Sequence, residues 1–211
     1  MVRMKFRKNN QRQEWRWAWP VMSMVIVLSI GFTVVYGPIQ ARWDRYTDLR
    51  TREDIHTVLQ DKMMDSDHMH EIAEAIVVQS RKTGIPVNLF LGLMQKESNF
   101  IVNAVSGKRA MGILQIHPVT WKEYTTKLNL PGSHEHAFQP SINIMVSAAI
   151  LRDLYDRYRS MGYQEPELWD HVLSAYYAGR GSLRDGLKRH HRNYVDKVRT
   201  YSNEYGMKLK G

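Results

Sequence analysis

Hydrophobic and polar positions divide the chain into three stretches. Val21 to Tyr36 is a 16-residue run without a charge, and Trp17 to Pro20 extends it to 20. At about 1.5 Å per residue the run reaches roughly 24 Å, or about 30 Å with the extension, which matches a bilayer's hydrocarbon core. Trp15, Trp17 and Trp19 on one side and Tyr36 and Trp43 on the other fit interfacial anchors, and Gly37-Pro38 ends the helix. From Gln40 to Met64 the chain turns charged, with Trp43, Tyr46, Leu49, Ile55, Leu59 and Met63 at loosely helical spacing. This reads as a stalk helix leading away from the membrane; a dimeric coiled coil is the weaker alternative, because the heptads are broken.

The third stretch is patterned for helices almost throughout. Asp65-Ser66-Asp67 is a capping cluster before a helix over about 68–83, with Ile72, Ala75, Ile76 and Ser80 as its buried stripe and Gly84 as its stop. Pro86-Val87-Asn88 starts the next helix. Residues 101–118, with Gly107 and Gly112, lack a sustained period and read as a structured loop. Further helices are expected at about 118–128, 141–161, 166–178 and 190–205. No pair of alternating runs flanks a tight turn, so strands are not expected. The boundaries that follow are a tail over 1–20, a transmembrane anchor over 21–37, a stalk over 38–66, a catalytic domain over 67–205 and a short tail over 206–211. The fold class is all-α.

Charge supplies the orientation. The 211 residues carry a formal net charge of +9 and no cysteine, so disulfides and thiolate metal sites are excluded. Residues 1–20 hold six basic residues and one acid, a net of +5, which leaves +4 for the rest. That basic flank places the tail in the cytoplasm and residues 38–211 outside, on a single pass through the inner membrane. Cleavage as a signal peptide fits less well: a cut after Gly37 puts Pro38 immediately downstream, and a cut after Ala41 puts bulky Ile39 at the −3 position. The remaining +4 suits an anionic polymer but does not argue for nucleic acid.

Glu97 is the candidate for chemistry. Phe90, Leu93 and Met94 sit at i, i+3 and i+4, and the next position on that face is Glu97. A carboxylate on the packed side of a helix loses solvation, which raises its pKa toward the range of a general acid. A helix-end glutamate facing water is the plainer alternative, because the segment from Leu89 to Met94 is apolar nearly all round.

The motifs around Glu97 are more specific. Glu97-Ser98-Asn99-Phe100, then Asn103-Ala104-Val105-Ser106, then Ala110-Met111-Gly112-Ile113-Leu114-Gln115-Ile116-His117-Pro118 resemble the signature of soluble-type lytic transglycosylases, E-S-x-F, A-x-S and G-A-x-G-L-M-Q-x-x-P. Phe138-Gln139-Pro140 with Asn143-Ile144, then Ala175-Tyr176-Tyr177-Ala178-Gly179, then Tyr194-Val195 leading to Val198 agree in order. The resemblance implies a lysozyme-like fold, a groove for peptidoglycan strands, and cleavage between N-acetylmuramic acid and N-acetylglucosamine without metal or cofactor. It also implies a mechanism for a lone glutamate, where an ordinary glycosidase uses two carboxylates. Glu97 protonates the glycosidic oxygen, then takes a proton from the sugar's own C6 hydroxyl as a 1,6-anhydro ring closes.

By the same resemblance Ser106 meets the muramic acid N-acetyl group or the catalytic carboxylate, and Gln115 offers an amide to a sugar. Tyr176 and Tyr194 place hydroxyls or ring faces in the groove. Each has an ordinary reading too: a turn serine, an unremarkable amide, core aromatics. Two departures stand out. Tyr177 replaces the family's asparagine in A-Y-N-A-G, and Gly112-Ile113-Leu114-Gln115 replaces G-L-M-Q. The pairs His68/His70 and His134/His136 have no accompanying ligand set, and His190-His191, near a helix start, reads as solvated surface ahead of a contact with an anionic substrate, so no metal is expected. Two other functions compete: a wall-binding assembly module of a secretion, conjugation or phage apparatus, and a goose-type lysozyme relative that hydrolyses with water.

Overall fold

The computed structural model describes residues 44, 47–63, 67–184 and 186–209. The basic tail over 1–20, the transmembrane helix expected over 21–37 and the expected caps Asp65 and Ser66 lie outside the described residues. Among those described, no helix is long and apolar enough to cross a membrane. The chain divides into a unit over Met1–Asp48 and a compact unit over Leu49–Gly211. In the first, the described residues 44, 47 and 48 are helical.

The second unit opens with α1, residues 49–62. Ile55 and Leu59 are fully buried and Val58 nearly so, and Met63 packs against the same core. The helix expected as a stalk is thus packed into the domain here. Burial of its apolar side chains does most of this, at roughly 1.5–3 kcal/mol each. Its ion pairs, Arg52 to Glu74 at 2.7 Å and Lys208 to Asp61 at 3.2 Å, are partly exposed and add little.

Helix α2, Met69–Thr83, buries Ile72, Ala73, Ala75, Ile76 and Val77 and stops at Gly84, whose φ of +73° suits glycine. Ile72, Ala75 and Ile76 of the expected stripe are buried; at its end Gln79 is buried and Ser80 only half so. The N-cap is His68, without a side-chain capping bond. Pro86 precedes α3, Val87–Glu97, in which every residue from Leu89 to Met94 is buried. Helices α4 (Pro118–Lys127) and α5 (Pro140–Ser160) each begin on a proline, where the missing N–H costs nothing. Glu71 of α2 accepts the Ser141 N–H at 3.0 Å, supplying the start of α5 with an anionic acceptor from another helix. α6 (Glu167–Ala178) and α7 (Arg189–Lys208) complete the unit, with short 3-10 turns at His134–Phe138 and Arg180–Leu183.

α3 runs against α7 at a distance that only glycine permits. A Cβ on Gly92 would stand 2.2 Å from Ser202 Oγ and 2.9 Å from the Val198 carbonyl oxygen. The first residues of α7 are held by His191, which is fully buried and accepts the Lys188 N–H through Nδ1 at 3.1 Å. The solvated histidine pair expected from sequence is therefore split. His191 is an internal cap, and burial pushes its pKa down, with His190 and Lys188 adding to the effect. His190 alone is exposed.

Candidate active site

The site forms where α3 ends. After Glu97 the chain takes two consecutive left-handed residues, Asn99 at φ +53° and Phe100 at φ +63°. A bulky residue in that region is strained, and here packing holds it: Phe100 is 3 % exposed and meets Tyr205 edge-on at 6.0 Å. The turn takes the backbone away from the helix end. Ser98 Oγ donates to the Ile113 carbonyl oxygen at 2.8 Å and so ties the helix end to the 101–117 loop.

That loop is fixed from behind. Two isolated antiparallel bridges, Val105 with Met111 and Met111 with Ile116, fold it on itself. Asn143 of α5, fully buried, accepts the Leu114 N–H at 3.0 Å and donates to the Ala137 and Met111 carbonyls at 2.8 and 3.2 Å. Gly112, at φ +79°, lies so close that a Cβ would sit 2.2 Å from that amide. Gln115 uses its NH₂ group within the loop, donating to Ala104 and Gly112 carbonyls at 3.0 and 2.8 Å. Ser106 Oγ accepts the Ala110 N–H at 3.0 Å, the bond of a turn serine.

Around the carboxylate itself three tyrosines gather. Tyr194 of α7, 3 % exposed, donates its phenolic hydrogen to Glu97 Oε1. Tyr177, half exposed, stacks on the Tyr194 ring at 4.4 Å with planes 15° apart, and the Lys96 ammonium lies 5.3 Å from the Tyr194 centroid. The Tyr176 hydroxyl donates to the Leu114 carbonyl at 2.7 Å and bonds Ser147 Oγ at 3.1 Å, bracing the loop against α5 and α6.

The electrostatics follow from enclosure. Burial raises the Glu97 pKa; the Tyr194 hydrogen bond and the Lys96 charge act against that without cancelling it. Although the residue keeps some exposed surface, its carboxyl end is the enclosed part. Burial, then the Glu97 charge, holds Tyr194 and Tyr176 well above the usual phenol range, so both remain neutral donors. The charge that bears on Glu97 is a lysine rather than a second acid.

Of the sequence candidates, Tyr194 bonds Glu97, Tyr177 stacks on Tyr194, and Tyr176 lies behind them. Ser106 and Gln115 are in the adjoining loop, engaged with its backbone. Sequence reasoning gave no role to Asn143, whose signal was a polar residue on the apolar face of α5, nor to Ser98 beside Glu97. A recess of roughly 500 Å³ lies elsewhere, on α4 between Trp121, Lys122, Thr125 and His134, and none of the site residues lines it.

A carboxylate enclosed at a helix end and held by a phenol from the neighbouring helix makes this, among the described residues, a single-acid site on a helical domain. The chain belongs to the transglycosylase SLT domain family, whose model matches residues 74–197. It is 34% identical over 108 residues to the membrane-bound lytic murein transglycosylase C of Mannheimia succiniciproducens, which covers 49% of this chain and 30% of that protein. It is 30% identical over 125 residues to the transglycosylase of Enterobacteria phage PRD1, covering 59% and 40%. An inactive mutant of the lytic transglycosylase Slt of Pseudomonas aeruginosa shares the fold, with a TM-score of 0.56, 23% identity, and coverage of 74% of this chain and 28% of that one. The matched region thus spans a third or so of the length of these relatives.

Proposed function

We propose that the chain is a membrane-anchored lytic transglycosylase that cleaves the β-1,4 bond between N-acetylmuramic acid and N-acetylglucosamine in peptidoglycan. The observation that carries this is the Glu97 carboxyl: enclosed, raised in pKa, and attended by a neutral phenol and an ammonium instead of a second carboxylate. Such a group is protonated at the start of a cycle and donates to the glycosidic oxygen. Once ionised it is stabilised by Tyr194 and takes the proton of the C6 hydroxyl, whose oxygen closes the anhydro ring. The substrate supplies the nucleophile at the effective concentration of an intramolecular group.

The other roles follow from position. Tyr177 offers an exposed ring to a sugar face, and Gln115 has its carbonyl oxygen left for a ligand. Ser106 and Tyr176 shape the loop more than they reach from it. The anchor over 21–37 places the domain outside the inner membrane, a setting that fits relatives named membrane-bound.

The test is digestion of purified sacculi by the full chain, with mass spectrometry of the released ends. Ends bearing 1,6-anhydromuramic acid support the proposal; reducing ends would make the protein a hydrolase, and no release a binding module. Glu97→Gln should lower turnover at least ~10²-fold with the fold intact. A variant retaining a tenth of wild-type activity overturns the assignment.

A further inference from the structure

Residues 180–192 join Tyr177 to Tyr194, the phenol bonded to Glu97. The segment begins three residues after Tyr177 and ends two before Tyr194. It carries Arg180, Arg184, Lys188, Arg189 and Arg192 against one acid, Asp185. Beyond the first 20 residues the chain has 24 basic and 20 acidic residues; with this segment set aside, 19 of each remain. All the excess positive charge outside the N-terminal tail is therefore concentrated in 13 residues at the rim of the candidate site.

Arg184, Arg189 and Arg192 are exposed, and clustered like charges repel. Of the acids on neighbouring elements, Glu123 stands 3.8 Å from Arg180 in an exposed pair, and Asp196 lies one turn after Arg192 on α7. At the segment's far end His190 approaches Tyr177, with ring centroids 6.4 Å apart. The charge and the exposed aromatic surface thus meet at one edge. A local field of one sign beside a site raises the concentration and capture rate of the opposite charge.

We propose that residues 180–192 bind the carboxylates of the peptide branches that the glycan strand carries, so that the site selects peptide-bearing strands. The proposal rests on the reading of the substrate as peptidoglycan. The arginines meet several carboxylates per branch from an exposed rim, while the sugar chain itself runs past Tyr177 and Glu97. Carboxylates and arginines pair with geometric preference as well as charge, which suits Arg at four of the five positions.

The experiment compares the full chain with the triple variant Arg184→Gln, Arg189→Gln, Arg192→Gln. Substrates are native sacculi, sacculi whose carboxylates have been converted to methylamides by carbodiimide coupling, and strands stripped of peptide by an amidase, with the lactyl carboxylates so freed converted to methylamides likewise. The variant should lose roughly tenfold in kcat/KM on native sacculi, through KM. It should match wild type on the neutralised and stripped substrates, and replacing the same arginines by lysine should restore most of the loss. The same comparison is made by co-sedimentation in a Glu97→Gln background, which reads binding even if no anhydro ends form. A failure of the transglycosylase reading would thus appear as absent product with the binding difference intact. Equal losses on all three substrates, no loss on any, or a loss confined to flotation with vesicles containing phosphatidylglycerol would overturn the proposal.

Discussion

Removing one oxygen, in Tyr194→Phe, separates the two forces acting on Glu97. Burial raises its pKa and the Tyr194 phenol lowers it. A hydrogen bond to a charged acceptor is worth about 1.5–3 kcal/mol, and one to the protonated acid's carbonyl oxygen about 1 kcal/mol. The phenol therefore favours the ionised form by roughly 1 kcal/mol, about a fivefold change in the ratio of ionised to protonated Glu97. Without it the carboxyl keeps its proton to higher pH. The general acid works protonated, so activity falls as pH rises through its pKa, and the variant's alkaline limb of kcat/KM moves to higher pH. Turnover at the optimum falls as well, because a more tightly held proton is given up less readily. The ring stays, and with it the 4.4 Å stack on Tyr177, so the cost to folding is that of one buried hydrogen bond, about 1–3 kcal/mol, and the variant stays folded. Rates on sacculi across pH, beside thermal unfolding, provide the assay. An alkaline limb that stays put or moves to lower pH would refute this account of how the acid is held.

Gly92→Ala should cost about 1–3 kcal/mol or more, seen as a lower melting temperature, since the new methyl meets Ser202 Oγ at 2.2 Å and the Val198 carbonyl at 2.9 Å. Tyr177→Asn, restoring the family's asparagine at a half-exposed position, should leave thermal stability nearly unchanged and alter KM by a factor worth on the order of 1 kcal/mol; a large drop in melting temperature with unchanged KM would argue against the groove placement. Alkaline carbonate extraction should leave the full-length chain in the membrane pellet, whereas a soluble product beginning near Pro38 would show the 21–36 run to be a cleaved signal.

What sequence could reveal was what is local. Pro86, Pro118 and Pro140 mark helix starts and Gly84 a stop, because proline and left-handed glycine carry their conformational reason with them. Glu97 was legible as a charge in an apolar slot. Long-range contacts were not. Ile55, Val58 and Leu59 at helical spacing fit a free stalk or a packed helix equally, and only the surface they meet decides between them. His191 looked like its neighbour His190 until α7 buried one and exposed the other. Tyr177 and Tyr194 are 17 residues apart, and nothing in their order forecasts that the rings would stack. Asn143 needs three backbone partners that lie up to 32 residues away.

The contact at Gly92 has a consequence for what this protein can tolerate as substrate. Glu97 and Tyr194 sit on two helices locked together through the core, so the proton donor and its phenol are assembled before any strand arrives, and no binding energy is spent on ordering them. That readiness removes adaptability from the helices that carry the acid and its phenol. A bulkier or differently modified sugar gains no room by moving α3 or α7, because yielding there means opening the core. Accommodation has to come from exposed parts, the Tyr177 ring and the outer turns of the 101–117 loop. Altered glycan preference is therefore to be sought by changing residues there, with the acid and its helix left as they are.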